Sequence, residues 1–238
     1  MKLTQSDVTN LVSILGTCSI AGIESLIIEE GKIRGVNEAK TAVIISDANI
    51  PVFSQKIGIA RISLLRNRLG LFNDNLVLDA KESDRGEIVS LELSSQKAKA
   101  QFRCTPTMLI KAPKVINDQE FVRVSLTKDE MRQMLNAAKV MCSKKIGLKI
   151  KAAGEVSFSA TDESNDQFVS TVEASAEFLT DTTSMYHDYP TDIISAVLRK
   201  AADDYDSCVL RIGEAGTLTT RINGHDITIL PIIDNSDD

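Results

Sequence analysis

Apolar residues near the start of the chain fall on one helix face: Val8, Leu11, Val12 and Leu15 recur at helical spacing. Thr4 precedes them, and Asp7 stands three positions after it. In that arrangement a hydroxyl accepts an orphan backbone N–H and the acid reaches back to the cap. Strand patterns follow at Ile23 to Ile28 and Lys32 to Val36, joined at Glu30-Gly31, and then at Ala42 to Ser46. The same series then recurs. A shift of 123 residues lays Leu3-Thr4 on Leu126-Thr127, Val8 on Met131, Leu11-Val12 on Met134-Leu135 and Leu15 on Ala138. It also lays Ile23 on Ile146, Ile27 on Ile150, Gly31 on Gly154 and Ile33 on Val156, without a gap. Few of these pairs are identities; what repeats is residue class, held through a change from helical to strand periodicity. The second copy predicts a helix capped by Thr127 and Glu130, then strands at Ile146 to Lys151, Glu155 to Ala160 and Gln167 to Val172.

Each half predicts a second helix. In the first, Ile62, Leu65 and Leu69 give an apolar face within the stretch from Lys56 to Leu69. In the second, Ile194, Val197, Leu198 and Ala201 do so after Tyr189-Pro190, where proline suits a first helical turn. Three strands are expected after each helix, and the last hairpin turns at Asn223-Gly224 between Leu218 to Ile222 and Asp226 to Leu230. Helix, strands, helix, strands, stated twice, is an α+β pattern with helices covering antiparallel sheet. The expected organisation is a first domain over 1–104, a connector over 105–120 that contains Pro106 and Pro113, a second domain over 121–233, and a polar acidic tail over 234–238. A chain of 238 residues is long enough for two domains that each bury a core.

Composition narrows the chemistry. No apolar run reaches the roughly 18 residues of a membrane span, and Met1-Lys2-Leu3-Thr4 opens directly onto a helix pattern with no signal peptide. Cys18, Cys104, Cys142 and Cys208 are scattered, as reduced structural thiols of a cytosolic chain would be. There is no phosphate-cradling glycine-lysine motif; Gly213 and Gly216 are followed by Thr-Leu-Thr. His187 and His225 lack metal-ligand spacing and read as surface or turn residues, and the acid pairs Asp203-Asp204 and Glu29-Glu30 read as solvated. With no Trp and 4% aromatic residues, base-stacking recognition of single strands is disfavoured. No catalytic residue, metal ligand or cofactor is expected, so the protein reads as a non-enzyme.

The formal charge of -6 argues against a polyanion partner, but its distribution argues for one. Lys56, Arg61, Arg66 and Arg68 lie within fifteen residues that hold no acid, and Lys128, Arg132, Lys139, Lys144 and Lys145 outnumber Asp129 and Glu130. The remainder is strongly acidic. On a helical wheel Lys128, Arg132 and Lys139 form one stripe with Asn136 beside them, and Arg199, followed by Lys200, opposes the apolar face of its own helix. A stripe on the flank of an apolar face is also what snorkelling lysines on a solvated helix produce. Cations on several helices of an otherwise acidic chain favour selective attraction of a polyanion to one surface. The first helix departs from the pattern: Thr9, Ser13 and Gly16 stand where the second copy has Arg132, Asn136 and Lys139.

A tandem α+β repeat with cationic helices, an acidic remainder and a mid-chain connector resembles the DNA sliding clamps. It is most similar to the two-domain clamps: proliferating cell nuclear antigen of eukaryotes and archaea, and the processivity factors of T-even-like phages. The resemblance spans the chain and rests on Gly22-Ile23-Glu24 through Gly35-Val36-Asn37, Ile59 through Leu65, Phe121 through Leu126, and Ile227-Thr228-Ile229-Leu230-Pro231. The short start and compact connector look more phage-like than eukaryotic. The resemblance implies a DNA clamp fold and a homotrimeric ring that encircles double-stranded DNA without sequence preference. It implies partners in a replicative DNA polymerase and a clamp-loader ATPase, and residence in the cytoplasm, that of a bacterial host if phage-encoded. Lys56, Arg61, Arg66, Arg68, Lys128, Arg132, Lys139, Lys144, Lys145, Arg199 and Lys200 would face DNA. Subunits would join through an edge carrying Ala98, Ala100, Phe102 and Cys104 and a second edge carrying Ala174, Ala176, Phe178 and Thr180. Partner peptides would dock on Asn37, Thr41, Ala42, Val115, Ile116, Leu230, Pro231 and Ile232. A clamp-like scaffold that binds proteins without serving a polymerase, and an enzyme with an unfamiliar α+β site, are the competing readings.

Overall fold

The structure, a computed structural model, describes residues 2–48, 50, 56–72, 76–113, 116–151, 155–172, 175–179 and 184–233. The chain divides into two compact units, Met1–Val115 and Ile116–Asp238. The tail over 234–238 lies outside the described residues.

The first unit begins with α1 (Gln5–Ile20), capped by Thr4. Asp7 N–H donates to the Thr4 hydroxyl while Thr4 N–H donates to the Asp7 carboxylate at 2.8 Å, so both halves of the expected capping box form. The helix buries Val8, Leu11, Ile14, Leu15 and Cys18. Strands β1 (Ser25–Glu29), β2 (Lys32–Val36), β3 (Ala42–Asp47) and β4 (Lys56–Ala60) follow, then α2 (Ile62–Leu69) and strands β5 (Val77–Glu82), β6 (Glu87–Ser94) and β7 (Lys99–Arg103). Their order in the sheet is β3-β2-β1-β4-β6-β5, with β7 also paired to β6. The β4–β6 pairing is parallel and the others are antiparallel. At the β1–β2 turn Glu30 and Gly31 take φ 51° and 73°, as a two-residue hairpin requires.

One prediction fails here. The stretch from Lys56 is not helical: Lys56 to Ala60 is strand β4, and α2 has only eight residues. A sharp backbone turn explains the change, because Arg61 adopts a left-handed φ of 59° between strand and helix. The cap of α2 is remote, with Ser63 N–H donating to the Glu24 carboxylate and Ile62 N–H to the Glu24 carbonyl. A 3-10 turn, Thr107–Leu109, lies between β7 and the second unit.

The second unit contains β8 (Glu120–Thr127), α3 (Lys128–Val140), β9 (Lys145–Ile150), β10 (Val156–Thr161), β11 (Gln167–Val172), β12 (Ser175–Phe178) and β13 (Met185–Pro190). It ends with α4 (Thr191–Asp204), β14 (Ser207–Gly213), β15 (Leu218–Ile222) and β16 (His225–Ile229). One sheet runs β12-β8-β14-β15-β16 and a second runs β11-β10-β9-β13. Helix α3 starts 123 residues after α1, and Thr127 with Glu130 rebuilds the same capping box. Pro190 ends β13 and occupies the N-cap of α4, one position before the first helical turn where it was expected. Asn223 and Gly224, at φ 52° and 82°, make the last hairpin. The two α+β units, with α1 packed on α2 and α3 on α4, match the expected fold class.

Two side-chain expectations change. Glu29 is not merely solvated: it binds Arg34 at 2.6 Å and also Lys56, and the Lys56 contact holds its carboxyl below the usual range. His225 is buried at 6% exposure, and His187 stands within β13. Burial pushes both imidazoles below their ordinary pKa. The thiols of Cys18 and Cys104 are each pushed up to about 12 by burial, and that of Cys208 is also raised, which leaves these three as inert packing groups.

Candidate nucleic-acid interface and strand edges

The eleven nominated cations separate by what they touch. Lys56 lies on β4 and its ammonium is engaged by Glu29. Lys145 binds the largely buried Asp188 at 2.5 Å, Lys144 reaches Glu163 at 3.0 Å, and Lys200 pairs with Asp204 one turn on. The exposed pairs of Lys144 and Lys200 cost little to break, whereas Lys145 compensates a largely buried carboxylate and is committed to it. Arg61, Arg66, Arg68, Lys128, Arg132, Lys139 and Arg199 make no ion pair among the described residues. On α3, Arg132 and Lys139 are both exposed and stand seven residues apart, nearly eclipsed on one face. Arg199 is exposed on α4 and Arg66 on α2. Uncommitted guanidinium and ammonium groups on helices can meet phosphate oxygens without first breaking an internal pair.

Arg61 and Arg68 have a different partner. Their guanidinium carbons lie 5.6 and 5.9 Å from the centroid of the Phe102 ring, close enough for cation–π attraction. Phe102 itself is fully buried. Its side chain is therefore core and offers nothing to another subunit, which corrects its place among interface side chains; a charged substitution there would disrupt the first unit itself.

What β7 and β12 do offer is backbone. Among the described residues β7 pairs only with β6, and β12 only with β8. Cys104 N–H donates to the Val89 carbonyl and Ser95 N–H to the Ala98 carbonyl, so residues 98, 100, 102 and 104 turn their peptide groups toward β6. By alternation Lys99, Gln101 and Arg103 point theirs at the open side. On β12, Leu179 N–H donates to the Phe121 carbonyl, so the odd-numbered residues face β8 and the backbone of Ala176 and Phe178 faces outward. Phe178 packs edge-to-face on Phe121 at 6.2 Å. Ala174 and Thr180 lie outside the described residues. Sequence reasoning found both strands but missed Lys99, Gln101 and Arg103. No local signal marks them, because the parity of an edge depends on which neighbour takes the other half.

The residues nominated for peptide docking fall in both units. In the first, the Asn37 amide oxygen accepts from Thr41 N–H at 2.8 Å and Ala42 N–H at 3.0 Å, and its amide donates to the Thr41 hydroxyl. Asn37 and Ala42 are buried, so they shape this turn and present no side chain to a ligand; Thr41 is half-buried. Val115 lies outside the described residues. In the second unit, Ile116, Leu230 and Pro231 are half-buried and Ile232 is 36% exposed. Two residues after Ile116, the Asp118 carboxylate accepts from Ala215 N–H at 2.9 Å, Thr217 N–H at 3.2 Å and the Thr217 hydroxyl at 2.6 Å. A Cβ at Gly213 would lie 2.0 Å from that carboxylate, so only glycine leaves room for it. The His187 ring presses on Gly216, whose carbonyl accepts from the Tyr189 hydroxyl, and the Asp188 carbonyl accepts Ile232 N–H at 2.7 Å. Ile116 and Ile232 are thus both tied to the framework of β13 and the β14–β15 turn. Asp118 was not anticipated from sequence, since its partners lie nearly a hundred residues away.

Among the described residues no group of three or more His, Cys, Asp or Glu side chains could hold a metal ion, and no helix is long and apolar enough to cross a membrane.

No family model matches the sequence, and no curated protein matches it either. Solved structures do. Proliferating cell nuclear antigen of Thermococcus kodakaraensis superposes with a TM-score of 0.68 at 12% identity, over 97% of this chain and 99% of that one. The A. fulgidus protein, solved with the C-terminal region of FEN-1 bound, gives 0.65 at 12% identity over 98% and 99%. The PCNA2–PCNA3 complex of Sulfolobus tokodaii gives 0.62 at 15% identity over 97% and 98%. Coverage of nearly the whole of both chains in each case shows that this chain carries the DNA sliding clamp fold.

Proposed function

We propose that this protein is a polymerase sliding clamp: a homotrimeric ring that encircles double-stranded DNA, is placed there by a clamp-loader ATPase, and tethers a replicative polymerase. The observation that carries the reading is the pair of open strand edges, β7 in the first unit and β12 in the second, on a chain with the clamp fold. Head-to-tail pairing of unlike edges generates a ring when the rotation closes, and closure leaves no edge exposed. Uncommitted cations on α2, α3 and α4 suit a duplex held through its phosphates, where contacts carry no base information. Nothing in this role calls for a catalytic group or a cofactor. In the second unit Ile116, Leu230, Pro231 and Ile232 are the surface proposed for partner peptides. Binding of the C-terminal region of FEN-1 to the A. fulgidus protein supports docking of that kind.

Loading on nicked circular duplex tests the central claim. A topological ring stays with the circle through gel filtration, is shed when the circle is linearised, and has the solution mass of three chains. Equal loss from circular and linear DNA would overturn the reading. A trimeric Ile116→Ser or Ile232→Ser variant that stimulates its polymerase as well as the parent would relocate the docking surface.

A further inference from the structure

The open side of β7 is not bare. Its central outward carbonyl belongs to Gln101, and Arg68, from the last turn of α2, donates an Nη1 hydrogen to it. The side chain reaches that point by passing the buried Phe102 ring, with Arg61 also stationed within cation–π distance of the ring. Arg68 makes no ion pair among the described residues, so this carbonyl and the ring are what hold it. Any strand laid in register against β7 needs the Gln101 carbonyl, because Gln101 is the middle of the three residues whose peptide groups face outward. Arg68 and a docking strand therefore compete for one acceptor.

We infer that Arg68 is a latch on this edge: it occupies the Gln101 carbonyl in the free subunit and is displaced when β12 of a second copy adds to β7. The inference rests on the ring reading above and assigns it a mechanism. A β12 strand fits as the occupant: Ala176 and Phe178 direct their backbone groups outward, as Lys99, Gln101 and Arg103 do on β7. Displacement has a second effect. The released guanidinium stands on α2 over the same Phe102 ring as Arg61, freed of its acceptor and able to take a phosphate. Whatever binds the released Arg68 must, by linkage, strengthen subunit pairing by the same factor as pairing strengthens that binding. A lone edge is thereby blocked against indiscriminate strand addition, and the block lifts when the correct partner pays out a ladder of hydrogen bonds.

Sedimentation equilibrium of the parent, Arg68→Ala and Arg68→Gln tests this, with Arg85→Ala removing the same charge from the remote β5–β6 turn as a control. With the competing donor removed, the two Arg68 variants should self-associate about five- to tenfold more tightly than the parent. Arg85→Ala should not change association. Short duplex DNA should tighten association of the parent more than that of Arg68→Ala. Association of the Arg68 variants equal to or weaker than the parent's, in protein with a native circular dichroism melt, overturns the latch and leaves the ring standing. A parent and variants that all remain monomeric overturn both.

Discussion

Helices α1 and α3 are the same element written twice, with the same cap and the same register, yet they are used differently. Along α1 the buried set includes Val8, Leu11, Ile14, Leu15, Thr17 and Cys18, while α3 buries only Met131, Met134 and Ala138. At the matching outward positions α1 has Thr9, Ser13 and Gly16, with Thr9 spending its hydroxyl on the Gln5 carbonyl, and α3 has Arg132, Asn136 and Lys139. Each helix borders an open groove, one of about 510 Å³ at Gln5, Thr9 and Val12 of α1 and one of about 450 Å³ at Arg132, Gln133 and Asn136 of α3, so the grooves are shared and the charges differ. One copy is invested in its core and the other in its surface. A duplicated fold can divide these tasks because the cap and the apolar stripe fix the helix, while the outward positions are free to change without loss of packing.

The comparison breaks most severely in the cores. Leu11→Ala should cost about 3 kcal/mol and Met134→Ala about 2 kcal/mol, since Leu11 is wholly enclosed and Met134 is 4% exposed and unbranched, so its neighbours can close on the space it leaves. Native-state amide exchange in each helix reads the two costs separately, and a larger loss at α3 would reverse the argument. Next comes charge. Arg132→Glu with Lys139→Glu should lower duplex affinity at least tenfold and flatten its salt dependence, because fewer counterions are released. Thr9→Arg with Gly16→Lys should do the opposite and steepen the salt slope by about 2; no atom lies within 4 Å of a Cβ at Gly16, so the graft has room. If the grafted protein binds duplex no better than the parent, α1 does not face DNA.

The caps give a smaller effect. Thr4→Ala and Thr127→Ala should each cost about 1 kcal/mol, with the larger loss at Thr4, whose partner Asp7 is buried at 6% exposure while Glu130 stays half-exposed. Thermal melts of the single variants check the ranking. The smallest difference is in pH. Both histidines belong to the second unit, and burial holds their pKa values below the ordinary 6.5 despite Asp118 and Asp188 near His187 and Asp226 near His225. Their neutral-state stability is complete above about pH 6.5 and falls as pH drops through the lowered values. Glu29 in the first unit, held below 4.5 by Lys56 and Arg34, contributes stability that is lost only under more acid conditions. Amide exchange at pH 5.5 should therefore rise in the second unit first, and uniform protection would contradict this.

The legible parts of the fold are those whose causes lie close in sequence. The capping boxes at Thr4 and Thr127 span three residues, and the turns at Glu30-Gly31 and Asn223-Gly224 need only two residues that tolerate positive φ. The boundary of α2 was not legible because its cap, Glu24, lies 39 residues before Ser63. Site residues follow the same rule. Positions on a helix wheel placed Arg132 and Lys139 correctly on one exposed face, but the engagement of Lys56 by Glu29 is a tertiary event. Burial of Phe102 beneath two arginines is another, which neither the charge pattern nor the resemblance that nominated Phe102 carries.

The clasp of Asp118 has a mechanical consequence. A load applied at Ile116 travels only two residues before three hydrogen bonds fasten the chain to the β14–β15 turn, and Gly213 leaves the carboxylate close against that turn. For those bonds to let go, they must yield nearly together. A partner pulling on Ile116 would therefore pull on the frame of the second unit with little slack to take up, and a tether anchored there would pass on tension promptly where an unfastened chain would first extend.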